Sequence, residues 1–373
     1  VSRLADRYDE RDVRVRPGRR GSRPRTKERP RHEDAVIGTV ITVDRGRYTV
    51  RVEDRLVIAM RARELGRKAA VVGDDVALVG DVRGGPDRLA RIVRIEPRRS
   101  VLRRTADDTD PVERVIVANA DQLVVVTALA DPEPRPRMID RCLVAAYDAG
   151  LEPLLVLTKA DRMDADDPPD VLEMYRPLDV PVVVTSFADD DSGDGDGGET
   201  RSETGTFGPH RIVGVEEVRA LLTGRVSVLV GHSGVGKSTL VNALVPDADR
   251  ATGHVNDVTG RGRHTSTSAI ALELPPDPGG GRGWIVDTPG VRSFGLAHID
   301  PDRIVTHFPE LAGGLEDCPR GCSHDEEECG LDAWVDSGRA GPSGAARLDS
   351  LRRLLRARTE TPRDHDPRPG AGA

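Results

Sequence analysis

The stretch RVSVLVGHSGVGKST, residues 225–239, constrains this chain more than any other. A short apolar run of strand character leads into G-x-x-x-x-G-K-S over Gly231 to Ser238, and a helix-forming segment follows at once. In that setting glycines let successive backbone N–H groups turn toward a polyphosphate, and the helix N-terminus adds the positive end of its dipole. The spacing assigns Gly231, His232, Ser233, Gly234, Val235, Gly236, Lys237, Ser238 and Thr239 to a nucleotide-phosphate loop. Lys237 serves the outer phosphates and Ser238 a magnesium ion. Such a loop normally opens its domain, yet more than two hundred residues precede this one.

A chain of 373 residues exceeds one ordinary core, so two or three domains are expected. The formal charge of −8 excludes a globally basic nucleic-acid binder and leaves only local patches for that role. Two stand out: PGRRGSRPRTKERPR over 17–31, and the group Arg347, Arg352, Arg353, Arg356 and Arg358. Four cysteines, three of them between 318 and 329, argue against a secreted disulfide framework and for a metal site in a reduced, cytoplasmic setting. No apolar run approaches the roughly 20 residues needed to cross a bilayer, and no hydrophobic segment follows the Arg-rich start to act as a signal peptide.

Residues 1–34 are charged, rich in Pro and Gly and poor in apolar side chains, and are expected to be a disordered basic tail. Over 35–100 five β-rich runs, VIGTVITVD, RYTVRVE, LVIAMRA, DDVALVGDV and LARIVRIEP, predict a small closed barrel of the OB type. Over 101–293 buried strands such as DQLVVVTAL, LEPLLVLT, VPVVVTS and GWIVD alternate with helical segments, which implies a parallel sheet covered on both faces. An acidic, Gly-rich interruption at 188–208 reads as a disordered insertion, 294–360 as a helical metal-binding domain, and 361–373 as a second disordered tail.

The base-recognition elements lie upstream of the phosphate loop. Thr158-Lys159-Ala160-Asp161 ends an apolar strand, where ligands of open α/β sheets bind. The Asp161 carboxylate can accept from both donors on the guanine edge, a pair adenine lacks, and the Lys159 stem can cover the ring. The tetrad looks like the element usually written N-K-x-D, with Thr158 in place of Asn. Thr185-Ser186-Phe187 resembles the S-A-x loop that reads the guanine oxygen. Downstream, Asp287-Thr288-Pro289-Gly290 resembles the D-x-x-G element that senses the γ-phosphate. GRGRHTSTS before it has the composition of a mobile switch, offering Thr265, or Thr267 in its stead, to magnesium. In an ordinary GTPase the phosphate loop, switch threonine and D-x-x-G come first. Here the base readers precede them, so the chain reads as a circularly permuted GTPase.

Cys318, Cys322, His324 and Cys329 in DCPRGCSHDEEEC supply three thiolates and an imidazole, a closed tetrahedral shell for one structural zinc with no open position for a catalytic water. Cys142, on an apolar helix face, reads as core.

A barrel, a permuted GTPase and a Cys3His module in that order resemble the small-ribosomal-subunit-dependent GTPases of the RsgA or YjeQ family. The likeness covers about 36–358 and includes VVGDDV, PRRSVLRRT, ANADQLVVV, GRHTSTS and DTPGVRSFG. It implies GTP hydrolysis on the small ribosomal subunit and its rRNA during late maturation, weak alone and stronger on the particle, by a monomer that needs no membrane. After DTPG comes Val291, where Ras-like enzymes carry the Gln that orients the attacking water. His264, beside the switch threonine, is the nearest substitute in sequence. Three alternatives remain: a permuted GTPase of the large subunit, a P-loop ATPase or kinase, and a GTP-gated RNA-binding module without turnover.

Overall fold

The computed structural model describes residues 32–44, 46–65, 69–85, 88–104, 114–163, 171–175, 178, 180–187, 212–246, 269–277, 279–288, 301–326, 328–342 and 344–359. The expected basic tail up to 31, the insertion 188–208 and the tail 361–373 lie outside them. So do His264, Thr265, Thr267, Gly290 and Val291.

All five expected barrel strands form: β1 (Val36–Asp44), β2 (Arg47–Val52), β3 (Arg55–Arg61), β4 (Asp75–Gly80) and β5 (Ala90–Ile95). The ring closes in the order β1-β2-β3-β5-β4 and back to β1, with β3 and β5 parallel and every other pair antiparallel. Alternate residues point inward, so Val40, Tyr48, Val50, Val57, Val76, Leu78 and Ile92 fill the barrel. A register shift in β1 between Val40 and Thr42 bends the strand. Its first half pairs with β4, and Thr42 then reaches the next sheet. A ribbon of β6 (Val101–Arg104) and β7 (Arg114–Ala118) follows. It was not legible in the sequence, because its strands are only four and five residues long and half of β6 is arginine.

The second sheet contains β8 (Gln122–Ala128), β9 (Glu152–Thr158), β10 (Val182–Val184), β13 (Val226–Val230), β14 (Ile270–Glu273) and β15 (Trp284–Asp287), in the order β10-β9-β8-β13-β15-β14. Its first five strands are parallel, and β14 runs antiparallel at the edge, where Ile270 pairs with Thr42 of the barrel. A two-residue pair, β11 (Ser186–Phe187) and β12 (Ile212–Val213), flanks the insertion. Strand β8 is buried on both faces, which explains its unbroken apolar run. Val124 and Val126 pack with Val218 and Leu222 of α3 (Val215–Leu222) and Leu240 and Leu244 of α4 (Lys237–Leu244). Leu123 and Val125 belong to the opposite core with Ile139 and Leu143 of α1 (Pro136–Ala149). Helix α1 starts with Pro136 and ends at Gly150, whose φ of 68° lets its N–H return to the carbonyls of Ala146 and Tyr147. Cys142 is core, and burial pushes its thiol up to about 12.

After a short α2 (Val171–Tyr175), the C-terminal part comprises α5 (Pro301–Val305), a 3-10 segment Pro309–Asp317, α6 (Gly330–Asp336) and α7 (Gly344–Thr359). Phe308, Leu311, Leu331, Leu351 and Leu354 join the same core as α1. Four of the arginines that marked a basic patch at this end have acidic partners: Arg347 pairs with Glu310, Arg352 with Asp332, Arg353 with Asp140 and the half-exposed Arg356 with Asp325. Charge clustering in sequence could not show that these four guanidinium groups have acidic partners outside α7. Among the described residues, no helix is long and apolar enough to cross a membrane.

Candidate nucleotide and metal sites

Because β8, β9, β10, β13 and β15 are parallel, their carboxyl ends meet at one edge, and every described element of the expected nucleotide site lies there. The phosphate loop leaves β13 at Gly231 and enters α4 at Lys237. A Cβ on Gly231 would stand 2.5 Å from the carbonyl oxygen of Val126, so the close approach of loop to β8 requires glycine. Gly236 has φ of 86°, a left-handed conformation that turns the loop into the helix. Val235 is fully buried and anchors the loop beneath, whereas Ser238 and Thr239 are exposed.

His232 is buried, and its Nδ1–H donates to the Ser233 carbonyl at 3.0 Å. Burial holds its pKa below the ordinary value, so the ring is neutral at pH 7. Its Nε2 has no hydrogen-bond partner among the described residues.

Thr158, at the end of β9, donates its hydroxyl hydrogen to the Val235 carbonyl at 2.5 Å. Thus the position expected to hold Asn carries a residue that still ties the base-side loop to the phosphate loop. Lys159 adopts a left-handed conformation, φ 60°, and its Nζ donates to the Asp131 carbonyl. Asp161 sits in the following 3-10 turn, Ala160–Arg162, with its side chain about a quarter exposed. The Ala160 N–H donates to the Thr185 carbonyl at 3.2 Å, and the Thr185 N–H to that of Leu157 at 2.7 Å, which holds the two base-side loops together. Thr158, Lys159, Thr185 and Ser186 line one small pocket with Gly236, Thr239 and Leu240. Asp131 was missed in the sequence, since nothing in DPEP marks a contact 28 residues away.

At the end of β15, Asp287 forms an ion pair with Lys237, and the Thr288 hydroxyl donates to the Leu229 carbonyl at 2.9 Å. The phosphate-loop lysine and the D-x-x-G aspartate therefore share one position, although 50 residues separate them.

Cys318, Cys322, His324 and Cys329 converge, with their four ligand atoms all within 4.8 Å of one another. Cys318 Sγ lies 4.0 Å from Cys329 Sγ and 3.6 Å from His324 Nδ1, and Cys329 Sγ lies 3.9 Å from His324 Nδ1. A tetrahedral zinc with bonds of about 2.3 Å to sulfur and about 2.0 Å to nitrogen has edges of about 3.8 and about 3.5 Å. The donor set thus fits a metal of that kind in both chemistry and size. Burial, then the neighbouring Cys329 sulfur, holds the Cys318 thiol above its ordinary pKa, so a thiolate cluster here calls for a cation.

The family model described as RsgA GTPase matches residues 95–194 and 206–297, about half of the chain. The small ribosomal subunit biogenesis GTPase RsgA of Pseudomonas aeruginosa is 37% identical over 298 residues, 79% of this chain and 77% of that protein. The RsgA of Chlorobaculum parvum is 34% identical over 334 residues, 86% of this chain and 98% of its own. Among solved structures, YjeQ from Thermotoga maritima is similar at 27% identity with a TM-score of 0.57, covering 87% of this chain and 98% of that one. YloQ, a circularly permuted GTPase, shares the fold at 21% identity with a TM-score of 0.55, covering 89% and 98%. With base-side loops that precede the phosphate loop in the chain and join it in space, the chain belongs to the RsgA family of circularly permuted GTPases.

Proposed function

We propose that this GTPase binds the small ribosomal subunit in the cytoplasm and hydrolyses GTP during its late maturation, with hydrolysis stimulated by the particle. The observation that carries the nucleotide part is the single pocket lined by Thr158, Lys159, Thr185 and Ser186 together with Gly236 and Thr239. Asp161 reads the guanine edge, Lys159 covers the ring, and Ser186 lies on the loop beside the guanine oxygen. The backbone of Gly231 to Gly236 cradles the phosphates. Lys237 leaves Asp287 to meet the β- and γ-phosphates, and Asp287 then serves magnesium through water. Ser238 and Thr265 would hold magnesium, which supplies charge neutralisation at the β- and γ-oxygens. Gly290 reports the γ-phosphate.

Val291 cannot orient a water, so His264 takes that role once the subunit orders the switch. The order of binding follows from the same parts. Only GTP holds both switches, through Thr265 and Gly290, so the GTP form docks tightly and hydrolysis releases it.

The Cys3His cluster binds one structural zinc per chain and stabilises the C-terminal helices. The division into 35–100, 101–293 and 294–360 and the monomeric state belong to the same proposal. Co-sedimentation with purified small subunits tests it: binding with a non-hydrolysable GTP analogue should exceed binding with GDP. Equal retention in both states, or preference for large subunits, would refute it.

A further inference from the structure

Three arginines of α7 grip two different parts of the molecule. Arg352 donates through Nε to the His324 carbonyl at 2.7 Å and through Nη2 to Asp332 at 2.6 Å. One turn later Arg356 holds Asp325, with Nε donating to Oδ2 at 2.8 Å. His324 has φ of 65°, a left-handed conformation that few residues other than glycine adopt. The fork of Arg352 fixes that carbonyl, and with it the direction of the imidazole.

Arg353 points elsewhere on the helix surface, to α1. Its Nε lies 2.9 Å from Asp140 Oδ2 and 3.1 Å from Oδ1, its Nη2 donates to the Met174 carbonyl at 3.3 Å, and its guanidinium lies over the Tyr175 ring. Asp140 is completely buried, and Tyr175 donates its hydroxyl hydrogen to it at 2.9 Å. Leu351 and Leu354 pack in the same core as Ile139 and Leu143 of α1. One rigid element is thus fixed to the metal loop on one side and to the nucleotide-binding fold on the other.

We infer that α7 couples the Cys3His cluster to α1: Arg352 and Arg356 are positioning residues for the metal loop, and Arg353 on Asp140 holds the helix that carries them. Affinity for the metal therefore depends on how well α7 is docked against α1. Conversely, metal loading tightens that docking, because a coupling free energy is reciprocal. The inference rests on the metal reading of the cluster and goes beyond it, since a self-contained zinc shell would be indifferent to Asp140.

The test uses the full-length chain loaded with zinc and titrated with a chromogenic chelator. Arg352→Gln should hold zinc about 10- to 100-fold more weakly, as outer-shell partners do. Asp140→Asn, near in shape but with an NH2 group against the Arg353 guanidinium in place of one acceptor oxygen, should weaken zinc by about fivefold or more. Arg339→Gln, whose guanidinium lies over Trp334 and whose Nε donates to the Ser337 hydroxyl, should match the parent. In the cobalt-loaded protein, visible absorption reports ligand geometry: it should shift in Arg352→Gln and stay put in Asp140→Asn. Parental affinity in Asp140→Asn overturns the coupling, and an unshifted cobalt spectrum in Arg352→Gln overturns the positioning role. Should Asp140→Asn fail to fold, hydrogen exchange of 136–149 in the parent decides. Faster exchange on zinc removal supports the coupling, and unchanged exchange removes it. A parent that takes no zinc would refute the metal reading itself.

Discussion

The hydroxyl of Thr158 donates to the carbonyl of Val235 across 2.5 Å, joining residues 77 positions apart. This bond holds the loop that carries Asp161 against the loop that carries Lys237, so one nucleotide can touch both. Thr158→Val keeps the shape and removes the donor, leaving a buried carbonyl unpaired. The expected outcome is a loss of about 1 kcal/mol, or roughly fivefold in GDP affinity, with the fold retained. Fluorescent-nucleotide titration measures it, and parental affinity would show that the tether plays no part in binding.

Asp161→Asn should exchange guanine for xanthine preference. The amide presents a donor where the carboxylate accepted from guanine, and xanthine offers a carbonyl in place of the exocyclic amine. Competition of GDP against xanthosine diphosphate is the measurement. Full GDP affinity without any gain for the xanthine nucleotide would dismiss Asp161 as the base reader.

Most strands of the barrel and of the parallel sheet were legible because their side chains alternate or run unbroken in the way that burial on one face or two demands. The cluster of Cys318, Cys322, His324 and Cys329 was legible too, since ligand spacing is local. What escaped were relationships set by tertiary contact. The strands of the β6–β7 ribbon are too short to stand out, β14 hides in a Gly- and Thr-rich segment, and Asp131 meets Lys159 only after two strands are aligned. The C-terminal arginines misled most, because a run of like charges does not disclose that Glu310, Asp332, Asp140 and Asp325 come to meet it.

Asp140 supplies a pH test. Burial pushes its carboxyl up to about 6 from an ordinary 3.8, against the pull of Arg353 and Tyr175. The folded state thus binds a proton more readily than the unfolded state, so this group adds stability as pH falls through 6 and withdraws it as pH rises. Relative to Asp140→Asn, the parent should gain about 1 kcal/mol of unfolding free energy between pH 7 and pH 5. Denaturant titrations at the two pH values measure that difference. A parent that loses ground to the variant on acidification would show that the pairing outweighs burial.

Cys322→Ser should lower the zinc content from about one per chain and loosen the C-terminal helices, with GDP affinity nearly unchanged. Elemental analysis and limited proteolysis provide the readouts. A well-folded native protein free of metal would contradict a structural zinc.

Multiple-turnover phosphate release with and without purified small subunits measures the proposed response of GTP turnover to the particle. Slow release from GTP alone, a steep rise on adding small subunits, no such rise with large subunits and no release from ATP are the predicted results. A rate that small subunits leave unchanged would rule out a GTPase switched on by that particle.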